Sequence, residues 1–201
     1  MKKISVIFLL ILVSWTTAYA QVCRRETLPE STPNGRYTLD NTTAIDNYTH
    51  LEWQRCPWGQ TVGTNPDNVA ICVGPALIGD WGATLRAANN FADTTKAAGQ
   101  QGGWRLPNVK ELISIIDVQC FAPPFNQKIF PSAWTGPIDT DNPANNPVAF
   151  WASTPTLAFV GSVSEKSLPE PMAWGMFTYD GSTLRFTRNQ TLFAIFVRNA
   201  P

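Results

Sequence analysis

The sequence predicts an α+β domain of short antiparallel strands with two helices and a long irregular loop region. Three observations carry that expectation. Strand-like stretches of a few residues lie toward both ends of the chain, separated by turn-forming residues. Between them, Gly103-Trp104-Arg105-Leu106-Pro107-Asn108-Val109-Lys110-Glu111-Leu112 is a dense helix start. Toward the end, Asp180-Gly181 separates two apolar runs with a two-residue hairpin signal.

Taken in order, Lys2 and Lys3 precede an apolar run from Ile4 to Val13, and Ala18-Tyr19-Ala20 has a small-x-small cleavage pattern. Residues 1–20 therefore read as a signal peptide, with Gln21 expected to start the mature chain. Gln21-Val22 before Cys23 is not a lipobox. The apolar run is short for a membrane span and no later segment approaches that length, so the expectation is an exported protein without an integral membrane segment. Residues 21–34 form an N-terminal arm and residues 35–201 a single domain.

Within the domain, Arg36 to Leu39, Ala44 to Asp46 and Leu51 to Gln54 read as short strands between Asp/Asn turns. A first helix is expected from Thr84 to Ala98, with Leu85, Ala88, Phe91 and Ala92 on one side and a Gly-rich end. In the second helix, Asn108 is an N-cap and Glu111 completes a capping-box spacing, with Pro107 and Leu112 placed as a staple. Val109, Leu112, Ile113 and Ile116 then make its apolar face. Cys120 to Val148 is Pro-, Asn- and Asp-rich without periodicity, a long irregular loop. Met172 to Tyr179 and Ser182 to Arg188 flank the hairpin turn, and Leu192 to Arg198 is a last strand fit for burial on both faces.

With Lys2 and Lys3 in the leader, thirteen basic residues face fifteen acidic ones, a formal charge of −2. Arg24-Arg25 is the nearest approach to a basic cluster, which argues against nucleic acid as a partner. All four cysteines follow the leader, and an even count in an exported chain favours disulfides. Four cysteines allow three pairings. Cys56 with Cys72 would close a local loop, and Cys23 with Cys120 would tie the arm to the end of the capped helix. A zinc site would need more than the single His50 and has no Cys-x-x-Cys.

The landmarks also come in a familiar order. A strand ends in an aromatic (Leu51-Glu52-Trp53-Gln54), a helix follows, and then Trp104-Arg105-Leu106-Pro107-Asn108 leads into Glu111-Leu112. Trp151 to Thr154, a Trp-containing strand with an Asp-Gly turn, and a closing Val197-Arg198 complete the set. Over roughly Gly35 to Arg198 the chain resembles the Lcl C-terminal-domain family, named for the end domain of a bacterial collagen-like adhesin. The resemblance implies a C-type-lectin-like fold. By that resemblance Trp53, Trp104, Trp151 and Trp174 belong to the core, while Trp58, Trp81 and Trp134 are the ones left to be exposed. Family members often carry a cysteine in the first helix and another before the final Val-Arg. Phe91 and Phe196 stand at the corresponding places, and two packed rings would replace that bridge.

For function, the resemblance implies an exported, non-enzymatic binding module for glycans or a cell-surface polymer in adhesion. The alternative is a protein-interaction or structural domain of the envelope. Asn65-Pro66-Asp67 is a faint echo of the calcium-dependent sugar triplet, Glu170-Pro171-Met172 lacks its last ligand, and no Trp-Asn-Asp is present. The better candidate surface is the long loop, where Trp134 would stack on a sugar and Asp139, Asp141, Asn142, Asn145 and Asn146 would bond its hydroxyls. Asp139 and Asp141 would also suit calcium through oxygen ligands, although no cofactor is required. The plainer account of the same residues is an ordinary turn-forming loop. Enzymes remain a minor class. A formylglycine-generating chemistry needs reactive cysteines near its cleft, and none follows Cys120. A serine hydrolase lacks its Gly-x-Ser-x-Gly context, and scattered carboxylates leave a glycosidase open.

Overall fold

The computed structural model describes residues 21–91, 103–131, 148–158 and 170–201. In chain order they form β1 (Val22–Cys23), a 3-10 turn (Asn34–Arg36), β2 (Tyr37–Leu39), β3 (Thr43–Asp46), β4 (Leu51–Gln54), β5 (Thr61–Thr64), β6 (Ala70–Val73) and β7 (Ile78–Gly79). Two helices follow, α1 (Trp81–Asn89) and α2 (Val109–Ser114). The remainder is β8 (Cys120–Phe121), β9 (Ala149–Ala158), β10 (Glu170–Phe177), β11 (Thr183–Thr187), β12 (Leu192–Phe193) and β13 (Val197–Asn199). Short, largely antiparallel sheets with two helices among the described residues agree with the α+β expectation.

Two sheets organise the domain: a four-stranded one ordered β13-β4-β3-β2 and a five-stranded one ordered β11-β10-β9-β12-β7. Side chains alternate across a strand, so a strand buried on both faces feeds two cores. Strand β9 does so, sending Phe150 and Ala152 into one cluster and Ala149 and Trp151 into the other. The first cluster contains Trp53, Leu112, Ile115, Phe125, Phe130 and Met176. The second contains Ala88, Trp104, Leu106, Ala173, Phe186 and Phe196. At Gly175 the β9–β10 register shifts, and a Cβ there would lie 2.8 Å from the Phe186 ring and 3.0 Å from the Phe150 carbonyl oxygen. Only glycine lets those strands approach.

Several expectations are corrected. Helix α1 starts at Trp81 because Asp80 caps it, accepting from the Ala83 N–H at 2.7 Å, and it stops at Asn89 rather than Ala98. Past Asn90 the chain leaves the helical path and Phe91 packs into the second cluster; Ala92 lies outside the described residues. In α2 the apolar face is only partly as predicted. Leu112 is buried and Val109 and Ile116 pack on the core, but the helix ends at Ser114, so Ile115 turns inward and Ile113 outward. The loop between Cys56 and Cys72 is itself the hairpin β5–β6. The described start of the long loop, residues 120–131, is well packed, with Phe125, Ile129 and Phe130 buried.

The Asp180-Gly181 connection is longer than two residues. Phe177 N–H donates to the Ser182 carbonyl and Gly181 N–H to the Phe177 carbonyl, closing four residues between them. Leu192 to Arg198 is not one strand. It leaves the five-stranded sheet as β12, runs buried through Ala194, Ile195 and Phe196, and enters the four-stranded sheet as β13. Its burial on both faces is as predicted: Leu192, Ala194 and Phe196 join the second cluster, Ile195 and Val197 the first. Trp58 and Trp81 are half-buried against the second cluster rather than exposed. The Trp81 indole donates to the Ala152 carbonyl at 2.9 Å under the Arg188 guanidinium.

Candidate functional site

The Trp-Arg-Leu-Pro-Asn motif is an architectural joint. Asn108 accepts from the Glu111 N–H at 3.0 Å while the Glu111 carboxylate accepts from the Asn108 N–H at 2.7 Å, a complete capping box. Arg105 forks onto the same carboxylate at 2.7 and 2.8 Å and pairs by backbone with Val197. The Pro107 carbonyl accepts from Ser153 N–H, and Trp104 and Leu106 are buried in the second cluster. Burial raises the Glu111 carboxyl, but the bonds from Arg105 and the Asn108 N–H outweigh it and hold it below the usual carboxylate range.

Two more arginines fork onto carboxylates. Arg198 forks onto Glu52 at 2.7 and 2.9 Å, with its guanidinium carbon 4.6 Å from the Trp104 ring centre. Arg36 binds Asp46 through both of its oxygens, and burial of Asp46 is outweighed by Arg36, Thr49 and the Tyr48 N–H, which leave its carboxyl depressed. Buried Arg55 meets main-chain oxygens instead, donating to the carbonyls of Ile129, Lys128, Asp40 and Asn41; burial lowers its pKa. These charged groups are committed to the scaffold.

The disulfides pair as the sequence favoured, Cys23 with Cys120 and Cys56 with Cys72. Cys23 lies directly opposite Cys120 in the β1–β8 pair. The Gln21 side chain donates to the Pro123 and Phe125 carbonyls, each at 2.8 Å, and Ser31 Oγ donates to the Ile116 carbonyl while accepting from Val118 N–H. The arm is thereby laid along the chain that follows α2. Beside it opens a cleft of about 590 Å³, bordered by Arg25, Glu30, Asn34, Asp117, Gln127 and Lys128 among others. Among the described residues, the side chains of Arg25, Glu30, Gln127 and Lys128 enter no hydrogen bond or ion pair. A second opening of about 620 Å³ lies on the other side of Glu30, against Ser31, Pro33, Arg36, Asn47 and Tyr48.

Sequence reasoning placed the site elsewhere. Trp134, Asp139, Asp141, Asn142, Asn145 and Asn146 all lie outside the described residues. The Asn65-Pro66-Asp67 triplet is a hairpin turn whose Asn65 Oδ1 already accepts from the Asp67 and Val69 N–H groups. His50 is exposed on a turn. Among the described residues no three His, Cys, Asp or Glu side chains are grouped to hold a metal ion, and no helix is long and apolar enough to cross a membrane. The cleft went unseen because its walls come from segments about a hundred positions apart, Gln21–Asn34 and Asp117–Lys128, as the 97-residue separation of Cys23 and Cys120 measures. That cysteine pair was the signal for it.

No curated protein and no solved structure matches the chain. The model of one family does, the Lcl C-terminal domain, over residues 42–198, from the turn between β2 and β3 to the arginine that clasps Glu52. With most of its length matched, from the first sheet through the closing Val-Arg, this chain belongs to the Lcl C-terminal-domain family.

Proposed function

We propose that the chain is an exported, non-enzymatic recognition module of C-type-lectin-like architecture that binds a glycan or similar polar polymer outside the cytoplasm. The observation that carries it is the contrast between the two kinds of charged residue. Buried Asp46 and Glu52 and half-buried Glu111 are each locked by an arginine, whereas Arg25, Glu30 and Lys128, with the uncharged Gln127 beside them, border an open cleft without internal partners. Binding sites are concave, with a few polar groups left to fix a ligand. All four cysteines are oxidised in pairs, which supports an oxidising, exported address and removes the thiolates a formylglycine-generating chemistry would use. The first twenty residues supply the signal peptide in this reading.

The test is a glycan array probed with the oxidised mature domain, with calcium and with chelator. Saturable binding to one glycan class is expected; silence from a folded protein would overturn the reading. A Trp134→Ala variant run beside it decides whether the segment after Pro131 takes part. A second reading, a protein-interaction domain, rests on exposed Val22, Phe121 and Tyr179. Val22 faces Phe121 in register, and the Phe121 and Tyr179 ring centres are 6.2 Å apart. An envelope partner lost in Phe121→Ser, with the array silent, would favour it.

A further inference from the structure

Among the described residues the most exposed large hydrophobic side chain is Tyr48, at 82%. It buries almost nothing, so hydrophobic stabilisation does not account for it. Yet its turn is among the most firmly built parts of the surface. Fully buried Asp46 accepts from the Tyr48 N–H at 3.0 Å and from Thr49 Oγ at 2.7 Å while clasped by Arg36. His50 N–H returns to the Asp46 carbonyl at 2.8 Å, and His50 adopts φ 56°. The Arg36 guanidinium carbon lies 5.5 Å from the Tyr48 ring centre, a cation–π contact that steadies the ring itself. All of the Arg36 nitrogens are engaged, with Asp46, the Ser31 carbonyl and the Ser114 carbonyl. It is therefore a prop for the ring rather than a hand for a ligand.

A rigid aromatic held in water loses little conformational entropy when something stacks on it. What stacks must suit the opening beside it, whose walls are Glu30, Ser31, Pro33, Arg36 and Asn47. The lining is largely apolar, as the C–H face of a sugar needs, with Glu30, Ser31 and Asn47 as its polar groups. Glu30, an uncommitted carboxylate at the edge, disfavours an anionic chain, and the cation there is already spent on Asp46. An uncharged pyranose fits both features: its C–H face lies on the phenol ring and its hydroxyls donate to the Glu30 carboxylate and bond the Asn47 amide. Because Glu30 also borders the 590 Å³ cleft, the two openings meet at that residue, and a chain of several sugars could continue past it.

We propose that Tyr48, with Glu30 and Asn47, forms a stacking subsite for an uncharged hexose-based polysaccharide. This rests on the recognition-module reading above and names where the ligand sits. The experiment is affinity electrophoresis of the full oxidised domain in gels carrying a neutral β-glucan, a mannan or polygalacturonate. The wild type is expected to be retarded by a neutral polymer. Tyr48→Ala should weaken that retardation at least tenfold, while Tyr48→Trp keeps it, with the near-UV circular dichroism of both variants native. Retardation of Tyr48→Ala equal to wild type would refute the subsite and leave the module reading intact. Retardation by polygalacturonate alone, or displacement by a proline-rich peptide, would refute the uncharged-sugar assignment. A wild type that runs freely through every gel would overturn the subsite, and the module reading would then be decided by the glycan array alone.

Discussion

Asp46 is fully buried and still held as a carboxylate, because Arg36, Thr49 and a backbone N–H offset its desolvation. Glu111, half-buried, is likewise held as a carboxylate by Arg105 and the Asn108 N–H. Both folded-state pKa values lie below the ordinary ones, so the unfolded chain takes up protons first as pH falls. Their stabilisation is complete above the unfolded carboxylate range, around pH 4, and disappears as pH drops through the depressed folded values. The urea midpoint of the oxidised protein is expected to hold from neutrality to about pH 5 and to decline steadily below about pH 4. In Glu111→Gln the acid decline should be shallower and the neutral midpoint lower; an unchanged acid limb would show that Glu111 carries none of it. The Asn108–Glu111 half of that cluster was readable because capping spacing is local. The Glu52–Arg198 clasp joins positions 146 apart and leaves no trace in either neighbourhood.

The elements followed local chemistry wherever it was sufficient. Strand β4 and the capped start of α2 lie where the residues indicated, and Asn108→Ala is expected to cost about 1 kcal/mol, measured by denaturant midpoint. Asn108→Asp should cost much less, since it keeps the cap acceptor. Elements failed to be read where tertiary packing decides. Helix α1 was extended through an Ala-rich stretch, but Phe91 is drawn off the helix to the Phe196 and Trp104 rings, with centres 5.4 and 6.0 Å away. The proposed exchange of a cysteine pair for these two rings meets its geometric requirement, because the rings are in edge-on contact. A double-mutant cycle with Phe91→Leu and Phe196→Leu should give a coupling of about 0.5–1.5 kcal/mol. Additive losses would mean the rings pack independently.

For the molecule as a whole, the disulfides close loops of very different length, with sequence separations of 16 and 97. Chain entropy then assigns about 3 kcal/mol to Cys56–Cys72 and about 4.7 kcal/mol to Cys23–Cys120. Replacing both members of each pair by serine, and comparing unfolding midpoints, should show the larger loss for the arm's bridge. Equal losses would point to structure surviving in the unfolded state. The family, the α+β class and both bridges could be drawn from the residues in order. The cysteine pair marked where the cleft lies but not its shape, because a concavity is a property of surfaces from distant segments, and Tyr48 carries no local mark of the buried Asp46 that anchors its turn.

Residues 192–197 pass between the sheets and complete both hydrophobic clusters. Neither core can close until these residues are present. The preceding chain would thus stay loose on its own, and would lock only once residues 192–197 had joined it. A chain ending before Leu192 should accordingly show no protected amides in hydrogen exchange, whereas protection surviving there would place an autonomous folding unit upstream. In such a molecule, the moment of folding is set by the arrival of one segment rather than by the gradual growth of a core.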